Sequence, residues 1–235
     1  GEVMDIVQGT YFRDPISIIA GEYEDAKDSD IVIITSGIAR KPGQTRLELA
    51  QTNVNILKSI APQITKHAPN ALYVIVSNPV DVMTYVFTKI SGLPENQVIG
   101  SGTILDTARL RCGLSEHFDV AQQNVHAYVF GEHGDTSFIP WSCAHISAVT
   151  VDGYAEHLKN IGREVEELDK EAMIDYVRKS GGQIITNVSK EGDNTSTESV
   201  YEPGNNLCCG FGNSNSSCGI PPIARIIVPR SKFMA

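Results

Sequence analysis

Two nearly uninterrupted apolar runs, Ile31-Val32-Ile33-Ile34 and Leu72-Tyr73-Val74-Ile75-Val76, constrain this chain more than any other feature. Runs of that length without polar alternation suit strands covered on both faces, as in a parallel sheet. Between them Leu49, Ala50, Val54, Leu57 and Ile60 recur at close to helical spacing, with Gln51, Asn55 and Lys58 turned outward. The spacing predicts a strand, crossover helix and strand of a doubly wound α/β sheet, whose ligands bind beyond the carboxyl ends of the strands. Thr35–Arg46 and Ser77–Asp81 are therefore the segments to read for chemistry.

A chain of 235 residues can bury a real core, and its apolar runs are strand-sized rather than membrane-sized. The formal charge of −9, from 19 Lys and Arg against 28 Asp and Glu, argues against nucleic-acid and anionic lipid partners. Five cysteines at irregular spacing, Cys112, Cys143, Cys208, Cys209 and Cys218, point to a reducing cytoplasm rather than a disulfide scaffold. The first residues carry no secretion signal, and no metal site is expected.

Further along, Val125, Ala127 and Val129 alternate with His126, Tyr128 and Phe130, the period of a strand in a second, more antiparallel region. The spacing of Leu158, Ile161, Val165, Leu168 and Ala172 predicts one long helix over 154–179, ended by Gly181-Gly182. From 187 onward the chain is rich in Asn, Ser, Gly and Thr. That tail, 187–235, is expected to be poorly ordered, with at most a short edge strand between Pro222 and Pro229. The resulting division is 1–80 for a partial dinucleotide-binding domain, 81–186 for a catalytic domain and 187–235 for the tail.

Gly131-Glu132-His133-Gly134-Asp135 puts a histidine between glycines at a strand end, where it can work as an acid or base near neutral pH. Read alone, the segment is equally compatible with a satisfied histidine in a tight turn. Asp106 and Arg109, three apart, share one side of a helix and can be a plain surface ion pair. If His133 lies beside them, Asp106 can fix its tautomer and Arg109 can hold a carboxylate by two parallel hydrogen bonds. The basic loop Arg40–Arg46 suits a lid, and Asn78 can orient a carbonyl or cap a turn.

Taken in order, TSGIARKPGQTR (35–46), NVNILKSI (53–60), VSNPVDVMTYV (76–86), GSGTILDTARLR (100–111) and GEHGD (131–135) resemble the L-lactate/L-malate dehydrogenase family over Gly1 to about Thr186. The resemblance implies the remainder of a Rossmann-type parallel sheet domain followed by an α+β substrate domain. It implies NAD as cofactor and the interconversion of a 2-oxo and a 2-hydroxy acid. His133 would exchange the proton, Asp106 would pair with it, Arg109 would grip the substrate carboxylate, Arg46 would polarise the carbonyl and Asn78 would help place substrate and nicotinamide. Thr35, Gly37, Asn53, Ser77 and Asn78 would lie near the cofactor.

Within the family, Arg40 stands where the malate branch carries arginine and the lactate branch commonly glutamine, so alone it favours malate. Gly100-Ser101-Gly102-Thr103, Glu132 and Pro140-Trp141-Ser142 look like the lactate branch, and the overall likeness favours pyruvate and L-lactate. Arg111 and His126 fall where allosteric bacterial lactate dehydrogenases bind fructose 1,6-bisphosphate between subunits. The resemblance thus implies a homotetramer whose activator links glycolytic flux to fermentative pyruvate reduction.

The glycine-rich diphosphate turn, G-x-G-x-x-G, occurs nowhere in the sequence, and neither the acidic ribose-binding residue nor the family's pocket threonine is located. The expectation is a member shortened at the front and altered in its tail, with an inactive fragment as the alternative to a working enzyme.

Overall fold

The computed structural model describes residues 1–10, 16–38, 46–163, 165–191 and 223–227. It divides into two compact units; among the described residues, one holds 1–10, 16–38, 46–78, 82–100 and 223–227, and the other holds 79–81, 101–163 and 165–191.

In the first unit α1 (Glu2–Gly9) precedes β1 (Ser17–Gly21), followed by β2 (Ile31–Ile34), α2 (Arg46–His67), β3 (Leu72–Ile75), α3 (Val80–Ser91) and β4 (Val98–Gly100). The first two residues of α3 group with the second unit. Strands β2, β3 and β4 form a parallel sheet in that order, with Ile31 opposite Leu72 and Tyr73 opposite Val98. The crossover read from the sequence is therefore present.

Leu57, Ala61 and Ile64 of α2 and Met83 and Phe87 of α3 bury against Val32, Ile34, Tyr73 and Ile75. The Tyr73 ring lies 5.0 Å from that of Phe87, and its hydroxyl donates to Ala68 O at 2.9 Å. Burial pushes that hydroxyl's pKa up to about 12. Ile31, Ile33, Leu72 and Ile99 remain exposed, so among the described residues the sheet is covered on one face rather than the expected two. Successive right-handed crossovers deliver both helices to the same side.

The boundary expected at residue 80 differs from this division. Val82–Gly100 packs with the first unit because β4 pairs with β3 and Phe87 stacks on Tyr73.

The second unit contains α4 (Ile104–Phe118), β5 (Val125–His126), β6 (His145–Ile146), β7 (Val149–Thr150), α5 (Val151–Asn160) and α6 (Lys170–Glu191). Strands β5, β6 and β7 form a small antiparallel sheet in sequence order. Its core joins Leu110, Leu114 and Phe118 of α4 to Val125, Ala127, Val129, Ile146, Leu158 and Val177. The alternation of Val125, Ala127 and Val129 holds as burial, but ladder pairing stops at His126.

Beyond β5, side chains of α4 and of Thr103, the residue that caps its start, take over from a neighbouring strand. Arg111 Nε donates to Ala127 O (3.1 Å), Thr103 Oγ1 donates to Val129 O (2.6 Å), and Thr107 Oγ1 accepts the Val129 N–H (3.0 Å). Thr103, Thr107 and Arg111 stand four apart, so they form one stripe down the helix.

The single helix expected over 154–179 is two helices. Gly162, at φ 75°, takes a left-handed turn just past α5, with Arg163 N–H donating to Leu158 O at 3.0 Å. The helix restarts where Asp169 Oδ1 caps Ala172 N–H at 2.9 Å. Nor does Gly181-Gly182 end α6, which runs on to Glu191. Of the tail, 187–191 belong to α6 and β8 (Ile223–Ile227) pairs antiparallel with β1; 192–222 and 228–235 lie outside the described residues.

Candidate active site

The loop 131–137 is closed at its base by Phe130 and Phe138, whose backbones exchange hydrogen bonds of 2.8 and 2.9 Å. Gly131 enters it at φ 91°, a conformation that a side chain would strain. Ser137 at its far end is held by Arg178 of α6, which donates to its carbonyl, and by its own hydroxyl on Gly134 O (2.9 Å).

Three of the residues expected to do chemistry meet in this unit. His133 Nδ1 lies 2.5 Å from Asp106 Oδ2, while Arg109 Nη1 donates to the other oxygen, Oδ1, at 3.2 Å. The Asp106 side chain is 7% exposed and that of Arg109 is 14% exposed, so one buried carboxylate serves an imidazole and a guanidinium through separate oxygens. Removing Asp106 would leave the others uncompensated.

The hydrogen bond to Asp106 raises the His133 pKa above its ordinary 6.5; burial opposes this, the charge of Asp106 adds to it, Arg109 opposes it and Asp81 adds to it. An imidazole with Nδ1 tied to a carboxylate presents Nε2 as the proton-exchanging atom. Nε of Arg109 is buried without a hydrogen-bond partner among the described residues. Gly181 makes room for this guanidinium, since a Cβ there would sit 3.3 Å from Arg109 Nη2. The pair of glycines read as a helix stop is thus a place of close approach.

At the carboxyl ends of β2 and β3 the first unit forms its own cluster. Asn53, buried on α2, accepts Ile38 N–H at 2.8 Å through Oδ1 and donates from Nδ2 to Asn78 O at 2.7 Å. A Cβ on Gly37 would come within 3.2 Å of this carboxamide. Ser77 Oγ donates to Ser36 O at 2.7 Å. Asn53 and Ser77 thereby fasten the two strand-end loops to each other.

Comparison with known proteins gives these clusters a common frame. The family model for the lactate/malate dehydrogenase NAD binding domain matches residues 1–100, and that for the lactate/malate dehydrogenase alpha/beta C-terminal domain matches 103–201. The chain belongs to the lactate/malate dehydrogenase family. Members of this family are NAD-dependent oxidoreductases. The chain is 45% identical to an L-lactate dehydrogenase of Clostridium perfringens over 78% of its own length and 57% of the relative's. It is similar to the crystal structure of a lactate dehydrogenase from a Medee basin deep-sea metagenome library (TM-score 0.70, 41% identity, 79% of this chain and 58% of that one). It is also similar to malate dehydrogenase from Plasmodium falciparum (TM-score 0.69, 29% identity, 80% and 59%). The chain therefore spans a little under three fifths of the length of these relatives.

The family's cofactor can be tested against the residues present. Ser36 Oγ, at the end of β2, is buried with no hydrogen-bond partner among the described residues, and Gly37 beside it lacks the Cβ that would crowd the loop. These positions fit one end of a dinucleotide lying across the strand ends. The sequence contains no G-x-G-x-x-G, the motif that cradles a dinucleotide's diphosphate in such sheets.

Four further expected residues lie outside these clusters or outside the described residues. Arg40 lies outside the described residues; Arg46 opens α2, and its side chain is likewise outside them. Arg111 packs its guanidinium over the Tyr128 ring at 4.8 Å, besides its bond to Ala127, and His126 is an exposed residue of β5. The sequence reading ended a candidate segment at Asp81 without its role, in which Oδ2 accepts the His133 backbone N–H at 2.9 Å, and it missed the Thr103/Thr107 pair. The threonines had a signal in their four-residue spacing; Asp81, 52 residues from His133, had none.

Proposed function

We propose that this chain carries the catalytic residues of an L-lactate dehydrogenase that interconverts pyruvate and L-lactate. The observation that carries the reading is the His133–Asp106–Arg109 constellation, in which an acid, its charge partner and an anion anchor share one buried carboxylate. NAD, when bound, supplies or accepts the hydride. Everything else belongs to the chain. Arg109 binds the substrate carboxylate, its Nε being free of protein partners among the described residues. Protonated His133 donates from Nε2 to the oxygen of the ketone as the carbonyl carbon is reduced, and is left as neutral imidazole; the reverse direction returns the proton. Asp106 stabilises the imidazolium and keeps Nδ1 protonated. By the family resemblance, Arg46 polarises the carbonyl, Asn78 helps place substrate and nicotinamide, and Thr35, Gly37, Asn53 and Ser77 shape the cofactor end.

Lactate is preferred over malate because the Clostridium relative is an L-lactate dehydrogenase and the segments at 100–103, 132 and 140–142 are lactate-like. Arg40 and the Plasmodium malate dehydrogenase likeness support malate as the second reading. Regulation belongs to the same proposal: fructose 1,6-bisphosphate at Arg111 and His126 of a homotetramer, acting in the cytoplasm. Among the described residues no helix is long and apolar enough to cross a membrane.

The test is NADH oxidation by the purified protein at millimolar NADH, with pyruvate or oxaloacetate, each with and without fructose 1,6-bisphosphate. Faster turnover of pyruvate, stimulated by the bisphosphate, is expected. Preference for oxaloacetate would transfer the assignment to malate, and silence with both substrates would favour the inactive-fragment alternative.

A further inference from the structure

Two hydrogen bonds tie the backbone of 131–137 to side chains elsewhere in its unit. Ser137 O is held by Arg178, and His133 N–H is held by Asp81 Oδ2 at 2.9 Å. The second tie falls on the residue that carries the imidazole. Asp81 lies in the first turn of α3, where the negative charge of a carboxylate is favoured by the exposed N–H groups of the helix end. The opposite end of the same residue is fixed by Asp106 at 2.5 Å. His133 is thus gripped by two carboxylates at once, one on its amide and one on its ring.

We infer that Asp81 is a positioning residue: its carboxylate sets the backbone at His133 so that the ring can keep its bond to Asp106 and present Nε2. Its consequence for turnover rests on the function proposed above; its effect on the conformation of His133 does not. Charged groups facing the imidazole are Asp106, Arg109 and Asp81, so Asp81 also adds negative charge where a cation forms. Acceptor and charge can be separated. Asp81→Asn keeps an oxygen for the His133 N–H and removes the charge, whereas Asp81→Ala removes both.

The test follows His133 in the whole chain by NMR, reading amide exchange and the imidazole titration in wild type and the two variants, with pyruvate kinetics alongside. In Asp81→Ala the His133 amide is expected to exchange at least about tenfold faster, the imidazole to titrate at lower pH, and kcat to fall about tenfold with little change in KM. Asp81→Asn is expected to keep amide protection and most of kcat while still titrating lower. Unchanged exchange and titration in Asp81→Ala would overturn the inference even if pyruvate is turned over. The expected NMR changes without turnover of any 2-oxo acid would leave the positioning role standing and sink the dehydrogenase reading instead. If Asp81→Ala fails to fold, loss of protection or an unmoved titration in Asp81→Asn would overturn it.

Discussion

Asp106 sits at the centre of the candidate site because each of its oxygens answers a different side chain, His133 on one and Arg109 on the other. Replacing it by asparagine keeps the shape and removes the charge that holds His133 protonated. The sign of the effect is fixed by the direction of the shift. A histidine whose folded pKa is raised contributes stability that is full below the unfolded value of about 6.5 and is lost as pH rises through the folded value. Wild-type melting temperature should therefore fall as pH rises through that window, and Asp106→Asn should lack the fall, titrate His133 lower and lose about 100-fold in pyruvate reduction. Thermal melts across pH, paired with the imidazole titration, check this; a parallel pH dependence in both proteins would refute it.

Among the elements, α4 does most to assemble the site. One stretch of this helix presents Asp106 and Arg109, while its Thr103–Thr107–Arg111 stripe grips the backbone leading to His133. Facing it, α6 brings Gly181 against Arg109 and Arg178 onto the catalytic loop. Gly181→Ala separates packing from binding. An alanine inside a helix is favoured over glycine by about 1 kcal/mol, so stability should hold or rise. Its Cβ would crowd Arg109 Nη2 at 3.3 Å, and KM for the 2-oxo acid should rise several-fold. Melting temperature and steady-state kinetics on the same sample decide it, and an unchanged KM would remove the steric link.

At this scale the sequence was legible where periodicity and burial coincide. The β2–α2–β3 crossover, the α4 pair Asp106 and Arg109, and the alternating burial from Val125 to Val129 all follow from spacing. It was not legible where a local conformation cuts through a continuing pattern. Gly162 and the Asp169 cap split what periodicity joins, and Gly181 continues a helix because packing against Arg109 asks for the absence of a side chain rather than for a stop. Long-range single bonds such as Asp81 to His133 leave no periodic trace at all.

For the molecule as a whole, the two units carry two halves of one family's equipment. A parallel sheet ends in Ser36, Gly37 and Ser77 with Asn53 of α2 against them, and an α+β unit holds His133, Asp106 and Arg109. The match to both domain models and the identity of 45% to a lactate dehydrogenase rest on the whole of this arrangement rather than on a single motif.

The central claim, that protonated His133 delivers the proton in reduction of pyruvate, is tested most directly by the pH dependence of kcat/KM for pyruvate in wild type and in His133→Gln at saturating NADH. Wild type is expected to be level at acid pH and to fall tenfold per pH unit above a pKa higher than 6.5, the ordinary histidine value. His133→Gln should be slower by at least about 100-fold and show no such limb. A variant that keeps the wild-type rate, or the same alkaline fall, would contradict the account.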